Sequence, residues 1–128
     1  MFKKGPIPAF VHGLLEYAVA ILLILSAFLF SFESDTATGI AIAAGVVVLI
    51  VNASTAMSTG LVKSIPVQAH VMLDYLLAIL LIASPFLFGF EDDGAATAFF
   101  LVLGIAHLLL TIATRFVREP GPLSTIDD

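Results

Sequence analysis

The chain contains no cysteine, and charged residues of either sign are scarce among its 128 residues. The absence of cysteine excludes disulfide bonds and a thiol nucleophile. Five lysines and arginines stand against ten aspartates and glutamates, and the formal net charge of −5 argues against a nucleic-acid partner. The GxSxG, HExxH, Walker-type and CxxC motifs are also absent. The sequence therefore carries no catalytic signature, and we expect that the protein is not an enzyme.

Apolar residues take the place of the missing charges. They make up 60% of the chain, with a mean hydropathy of +1.13, whereas an ordinary soluble domain has roughly 45–50%. They form four stretches, at about 9–31, 37–60, 67–89 and 95–117. A helix needs about 20 residues to cross the hydrocarbon core of a bilayer, and each stretch is long enough. The sequence predicts an all-α, four-helix transmembrane bundle that forms a single membrane domain over 1–128.

The first apolar stretch follows Lys3 and Lys4, as the apolar region of a signal peptide follows its basic residues. This stretch is longer than a typical signal-peptide core, no small-residue cleavage site follows it, and a similar stretch recurs in the middle of the chain. We therefore expect it to remain in the membrane as the first helix.

The distribution of charge predicts the orientation of the bundle. With four spans, both termini and the central loop share one side of the bilayer, and all basic residues fall on that side: Lys3, Lys4, Lys63, Arg115 and Arg118. The other two loops carry only acidic charges: Glu33, Asp35, Glu91, Asp92 and Asp93. The positive-inside rule places both termini in the cytoplasm, and we expect a multi-pass protein of the plasma membrane. Its expected partner is the lipid bilayer, and a homodimer or larger membrane complex stays open.

The chain contains an internal repeat. Residues 7–37 align without a gap to residues 65–95, and more than half of the aligned positions are identical. The two units, 7–60 and 65–118, each contain two predicted helices, so both units cross the membrane in the same direction. The sequence therefore predicts a parallel repeat, with two units related by a pseudo-two-fold axis along the membrane normal.

The second helix of each unit carries small residues suited to close packing. Ala41-x-x-x-Gly45 is a small-xxx-small pattern, which lets the backbones of membrane helices approach each other closely. If one extra residue is allowed in the second unit, three pairs of positions align: Gly45 with Gly104, Asn52 with Thr111, and Thr55 with Thr114.

The repeat preserves a histidine and a carboxylate within apolar sequence. His12 precedes Glu16, and His70 precedes Asp74, by four residues, which places each pair on one face of its helix. At a rise of about 1.5 Å per residue, the carboxylates lie about 10 Å beyond the predicted helix starts. An ionisable group there costs about 2.5–3.5 kcal/mol or more and usually faces the bundle interior. We therefore predict that these side chains meet at the pseudo-two-fold axis.

This cluster is open to four interpretations. The favoured one is a structural or accessory membrane protein, in which each carboxylate accepts hydrogen bonds from its histidine, a tyrosine or a helix terminus. One alternative is transport of protons or another cation through Glu16 and Asp74. The others are a divalent metal ligated by both histidines and both carboxylates, and a haem with His12 and His70 as axial ligands.

Four further polar residues belong to the candidate cluster. His107 lies about 15 Å from the cytoplasmic end of the fourth helix, and it has no histidine counterpart in the first unit. It either extends the cluster or, as we favour, bonds to a threonine or a backbone carbonyl. Asn52 lies at a similar depth in the second helix. Tyr17 and Tyr75 directly follow the carboxylates, and we interpret them as anchors at the membrane interface.

A short motif near the outer end of the third helix suggests a family. Ser84, Pro85 and Phe86 follow the histidine–carboxylate pair of the second unit, and Ser26 and Phe28 occupy the matching positions of the first unit, without the proline. This pattern resembles the SPW-repeat family of small membrane proteins, in which a tryptophan stands where this chain has phenylalanine. The resemblance implies an integral membrane protein built of two-helix repeats. Pro85 is expected to bend the third helix.

Overall fold

Four long helices dominate the computed structural model, which describes residues 5–116 of the chain. They are α1 (Ala9–Leu29), α2 (Asp35–Ala53), α3 (Val67–Leu87) and α4 (Gly94–Ala113). Each is long and apolar enough to cross a bilayer, with mean hydropathies between 1.9 and 2.2 over the most apolar window. The predicted all-α, four-helix transmembrane bundle is thus confirmed, and the chain is a multi-pass membrane protein in a lipid environment.

The bundle has an outer end and a terminal end. The outer end carries the loops 30–34 and 88–93, and the terminal end carries the loop 54–66 together with both ends of the described chain. Of the residues on which the predicted orientation depends, Lys3, Lys4 and Arg118 lie outside the described part of the chain. The segment 120–122, whose two prolines we expect to end the last helix, also lies outside it.

The helices end earlier than their apolar composition predicts. α2 ends at Ala53 rather than near residue 60, because the following loop folds back on the end of the helix. The amides of Leu61 and Val62 both donate to the Ala53 carbonyl, at 2.6 and 2.9 Å. α4 ends at Ala113 rather than near residue 117, since Thr114 adopts an extended conformation. The prediction overestimated both lengths because no proline ends either helix within 54–60 or 114–117.

Short extended segments close the terminal end of the bundle. Strand β1 (Ile7–Pro8) pairs in parallel with β2 (Thr114–Arg115), with Ile7 opposite Thr114. A parallel bridge joins Thr55 and Ile65 in the same manner. Ile7 and Ile65 each lie directly before a proline, Pro8 before α1 and Pro66 before α3. Their partners, Thr114 and Thr55, lie just beyond the ends of α4 and α2. The predicted pseudo-two-fold relation stays a prediction, and these matched contacts are consistent with it.

The four helices form two hairpins, α1 with α2 and α3 with α4. A glycine in each hairpin allows its two helices to pack closely. A Cβ atom on Gly45 would lie 2.8 Å from the Ala20 carbonyl oxygen of α1, and one on Gly104 would lie 3.2 Å from the Ala78 carbonyl oxygen of α3. Ala41, one turn before Gly45, is fully buried. The small-residue pattern of α2 therefore lies at its contact with α1, as van der Waals packing between membrane helices requires.

The bundle interior is apolar toward the outer end and contains ionisable side chains toward the terminal end. Its outer and middle parts are apolar, with a core that includes Leu23, Leu81, Phe100 and Leu103. The two buried serines in this region, Ser26 and Ser84, donate to carbonyl oxygens of their own helices, at 2.8 and 2.5 Å. The buried ionisable side chains of α1, α3 and α4 lie nearer the terminal end.

At the outer end, Asp93 links the two hairpins. Its carboxylate caps α4 by accepting from the Ala96 amide at 3.2 Å, and it accepts from the amides of Glu33 and Ser34 in the other outer loop, at 2.8 and 2.9 Å. Burial opposes ionisation of this carboxyl group. Backbone N–H donors, that of Ser34 foremost, outweigh burial and lower the pKa of Asp93 below its ordinary value of 3.8.

Replacement of Gly45 by alanine tests the close helix contact. The added methyl group collides with the backbone carbonyl oxygen of Ala20 as well as with the Ile24 side chain, so we expect a loss of about 1–3 kcal/mol in the free energy of unfolding. Gly39 of the same helix has open space where its Cβ would lie, which makes Gly39→Ala the matched control. Unfolding in mixed detergent micelles, followed by far-UV circular dichroism, measures both variants. Equal stability of the two would contradict the packing described here.

Replacement of Asp93 by alanine tests the link between the outer loops. Because folding lowers the pKa of Asp93, its stabilising effect is fully present above pH 3.8 and is lost as the pH falls through the lower pKa of the folded state. We expect Asp93→Ala to cost about 1–2 kcal/mol at pH 7. This difference from the unmodified protein should shrink below pH 3.8. The exposed Asp92 supplies the control, Asp92→Ala, and a pH-independent difference would refute the ionic role of Asp93.

Candidate metal centre

Five ionisable side chains converge near the terminal end of the bundle. They come from three helices: His12 and Glu16 from α1, His70 and Asp74 from α3, and His107 from α4. All five are buried, with exposed fractions between 0 and 3%. The structure therefore brings together the histidines and carboxylates that the sequence marked as candidates.

The shortest contacts of the cluster run between the two hairpins. His12 Nε2 lies 3.0 Å from Asp74 Oδ2, and His70 Nε2 lies 2.8 Å from Glu16 Oε2. The contacts within each helix are longer, at 3.4 Å from His12 to Glu16 and 3.2 Å from His70 to Asp74. The four-residue spacing thus places each pair on one face, but each imidazole lies closer to the carboxylate of the opposite helix.

Threonines bind the other nitrogen of each of these two imidazoles. His12 Nδ1 lies 2.8 Å from Thr114 Oγ1, and His70 Nδ1 lies 2.7 Å from Thr55 Oγ1. Each threonine again belongs to the other repeat unit. The hydroxyl groups also lie 2.6 Å from the carbonyl oxygens of Leu110 and Val51, one helical turn earlier.

These threonine contacts determine which histidine nitrogen carries the proton. A hydroxyl group has a single hydrogen, and a carbonyl oxygen can only accept. The hydroxyls of Thr55 and Thr114 must therefore donate to the carbonyls and accept from the Nδ1–H groups of His70 and His12. In each neutral imidazole the lone pair then resides on Nε2, the atom that faces the carboxylates.

A bare Nε2 beside an ionised carboxylate oxygen is repulsive, because both atoms are acceptors. Each contact therefore needs a proton, carried by Nε2 or by the carboxyl group, or a cation between the two atoms. The contact of His12 with Asp74 has hydrogen-bond geometry. By contrast, His70 Nε2 and Glu16 Oε2 form no hydrogen bond despite their short separation. The two atoms of that second pair are close but lack hydrogen-bond geometry, an arrangement that also fits a shared cation.

The four side chains also satisfy the distance requirement of a metal site. One ligand atom from each of His12, Glu16, His70 and Asp74 can be chosen so that all four lie within 4.8 Å of one another. In a tetrahedral site the donor atoms are about 3.3–3.6 Å apart, since metal–nitrogen and metal–oxygen bonds measure about 2.0–2.2 Å. The widest pair would therefore have to close by up to about 1 Å to bring all four atoms into coordination distance.

His107 lies beside the same carboxylates without completing a hydrogen bond. Its Nε2 atom is 3.7 Å from Glu16 Oε1 and 3.7 Å from Asp74 Oδ1. Neither ring nitrogen has a hydrogen-bond partner among the described residues. The favoured interpretation, a ring bonded to threonine or a carbonyl, is wrong: Thr111 donates to the His107 carbonyl and leaves the ring free of that bond. His107 therefore extends the cluster.

The other predicted site residues stabilise the surroundings of the cluster. Asn52 donates from Nδ2 to the Gly13 carbonyl at 2.8 Å, and its Oδ1 atom has no partner among the described residues. Tyr17 donates to the Thr59 carbonyl at 2.7 Å and so fastens the loop 54–66 to α1. Tyr75 packs against the small apolar group formed by Met57, Val71 and Phe116.

The residues of the SPW-like motif lie away from the cluster. Phe28 and Phe86 are 78% and 60% exposed, which in a membrane protein means contact with lipid. Pro85 is buried inside α3. The Ser84 hydroxyl donates to the Leu80 carbonyl in the same stretch of helix. The motif therefore serves helix structure and lipid contact rather than ligand binding.

Three residues of the site were not recognised in the sequence. Thr55 and Thr114 had a signal, because the repeat aligns them, but nothing indicated that each contacts the histidine of the other unit. Phe116 had none. Its ring centroid lies 4.6 Å from that of His12 and 6.3 Å from that of His70, so its side chain covers both imidazoles.

Substitution of Thr55 tests the protonation pattern. The structure predicts a proton on Nδ1 of His70, and Thr55→Ser should preserve it because serine keeps the accepting hydroxyl. Thr55→Val removes the acceptor and should shift the Nδ1 resonance or mix the tautomers. Solid-state ¹⁵N NMR in bilayers measures this. An unprotonated Nδ1 in the unmodified protein would contradict the assignment.

Comparison with known proteins agrees with this architecture. No curated protein and no solved structure matches the chain. A family model described as the SPW repeat domain matches residues 10–114, which include all four helices and every residue of the cluster. The chain belongs to the SPW repeat family.

Proposed function

We propose that the protein is an accessory membrane protein whose buried cluster binds one divalent transition-metal ion. The ligands are Nε2 of His12, Nε2 of His70 and the carboxylates of Glu16 and Asp74. One observation carries the proposal: the threonine hydroxyls accept hydrogen bonds from the Nδ1–H groups, so both Nε2 lone pairs converge with the carboxylate oxygens. Hydrogen bonds from the second imidazole nitrogen are the usual means of orienting metal-binding histidines.

The donor set favours ions such as Zn²⁺, Fe²⁺ or Mn²⁺ over Mg²⁺ and Ca²⁺. Two imidazoles suit transition metals, whereas the hard cations prefer oxygen ligands alone. Two carboxylates also neutralise a divalent ion, so that the loaded site has no net charge. Neutrality matters here, because an uncompensated charge within the membrane costs several kcal/mol.

The geometry gives less support to a haem. A porphyrin between His12 and His70 would need a planar slot, and the carboxylates of Glu16 and Asp74 occupy that space, within 3.4 Å of the imidazole nitrogens. The two imidazoles instead face a small common volume, which is suited to a single ion.

Transport across the membrane also has less support. Between the cluster and the outer end, the described interior is filled by apolar side chains such as Leu23, Leu81 and Phe100. The only buried hydroxyls described in that region, Ser26 and Ser84, donate to their own helices. A proton or hydrated ion has no chain of polar groups to follow, so the cluster is a binding site reached from one side.

A bound ion would join the two hairpins. α1 and α2 pack extensively, as do α3 and α4, while contacts between the hairpins are sparse. The ion would be held by two residues of α1 and two of α3, so each hairpin supplies half of the ligands. We propose a structural or accessory role in the plasma membrane, with both termini cytoplasmic and no enzymatic reaction at the site. A homodimer or a larger membrane complex fits such a role.

Metal content and stability test this proposal together. Protein purified in detergent, stripped with chelator and titrated with Zn²⁺ should take up about one ion per chain. It should also gain about 2.7 kcal/mol of stability at a free concentration 100 times the Kd. Co²⁺ in place of Zn²⁺ should show visible d–d absorption bands of a low-coordinate site.

Glu16→Gln combined with Asp74→Asn should abolish both effects, since the amides preserve shape and remove the charge. Glu33→Gln, at an exposed loop position, is the matched control. If the unmodified protein takes up no metal and chelator leaves its stability unchanged, the cluster is a protonated hydrogen-bond network and the metal proposal fails.

A further inference from the structure

A cavity of about 410 Å³ lies at the terminal end of the bundle, beside the candidate metal centre. Residues from both chain ends and from the loop 54–66 line it, among them Pro8, Phe10, Met57, Ser58, Arg115 and Phe116. Ser58 is exposed, and Arg115 is a charged residue at the mouth of the bundle. The cavity therefore opens toward water rather than toward the apolar interior.

Phe116 separates this cavity from the metal ligands. Its ring forms part of the cavity wall and, at the same time, contacts the imidazole of His12 edge-on, with 4.6 Å between the ring centroids. The side chain is only 7% exposed. Displacement of this one ring would open the cavity onto His12.

The attachment of Phe116 is slight compared with that of the helices around the site. Phe116 follows β2, which is two residues long and pairs with the two residues of β1. Its side chain packs against a small apolar group that includes Met57 and Val71. Segments held by few contacts open at low free energy, whereas packed helices do not.

A second approach to the carboxylates is unsuitable for a hydrated ion. A crevice of about 190 Å³ between α2 and α3 reaches Glu16 and Asp74, but its remaining lining is apolar, including Val47, Leu76 and Leu80. All three of these helix positions lie within the membrane-spanning segments. An ion approaching there would have to cross hydrocarbon.

We propose that the bound ion exchanges with the aqueous phase on the terminal side, through this cavity, with Phe116 as its movable cover. This inference rests on the proposed metal binding and adds the route and the side of access. Opening also affects the ligands: Thr114, two residues before Phe116, accepts a hydrogen bond from the Nδ1–H group of His12. Movement of the segment 114–116 would release that hydrogen bond and loosen one ligand as the cavity opens.

The rate of metal exchange tests the cover. Stopped-flow mixing of protein in lipid nanodiscs with Co²⁺, followed by release into excess EDTA, gives association and dissociation rates. Phe116→Ala should raise both rates about tenfold while the equilibrium affinity stays nearly constant, as expected for a side chain that gates access without binding the ion. Phe10→Ala is the matched control, because Phe10 lines the same cavity and is largely exposed. If circular dichroism shows that Phe116→Ala is misfolded, Phe116→Leu takes its place in the exchange measurement.

A chemical block tests the route independently of Phe116. Because the chain has no cysteine, Ser58→Cys introduces a unique thiol at the cavity, and Asp92→Cys introduces one at the outer end. Modification with a bulky maleimide should slow exchange about tenfold in Ser58→Cys and leave Asp92→Cys unchanged.

The outcomes separate the two proposals. If Co²⁺ binds to the unmodified protein but neither Phe116 substitution nor modification at residue 58 alters the rates, this inference is overturned and the metal proposal stands. If the unmodified protein binds no Co²⁺, both fail.

Discussion

The structure depends on two hydrogen bonds in which imidazole Nδ1–H groups donate to threonine hydroxyls, from His12 to Thr114 and from His70 to Thr55. Each threonine hydroxyl donates its hydrogen to the carbonyl oxygen one turn earlier, so it can only accept from the imidazole. A neutral imidazole must therefore carry its proton on Nδ1. The Nε2 atoms of both imidazoles must face the carboxylates. That constraint leaves two arrangements, one with protons between the imidazoles and the carboxylates and one with a cation there, as we propose.

The proposed ion would also explain how an otherwise apolar bundle tolerates this cluster. Isolated charges at this depth would be unfavourable, whereas two carboxylates and a divalent ion would sum to zero. The glycine contacts at Gly45 and Gly104 hold each hairpin together without the cluster. The cluster, the Asp93 link and the shared apolar core then connect one hairpin to the other. Stability within the hairpins and stability between them thus have separate physical sources.

Much of the fold and of the cluster was predictable from the sequence, because the repeat preserves both the histidine–carboxylate pairs and their helical spacing. The four helices, the meeting of His12, Glu16, His70 and Asp74, and the small-residue packing at Gly45 all follow from apolar length and periodicity. The helix ends were not predictable, since no proline closely follows Ala53 or Ala113, and the loop hydrogen bonds and the extended Thr114 that end the helices belong to the tertiary structure. The threonine contacts were missed because they cross between repeats, which no spacing within one unit reveals. Phe116 and the unbonded ring of His107 depend on tertiary packing alone.

The central claim is that Nε2 of His12 and His70 and the carboxylates of Glu16 and Asp74 coordinate one ion. X-ray absorption spectroscopy of the zinc-loaded protein in bilayers measures this most directly. The account predicts a mixed first shell of nitrogen and oxygen at about 2.0–2.2 Å, with the multiple-scattering signature of two imidazoles. That signature should disappear when both histidines are replaced. A shell of oxygen atoms alone, typical of hydrated zinc, would contradict the account.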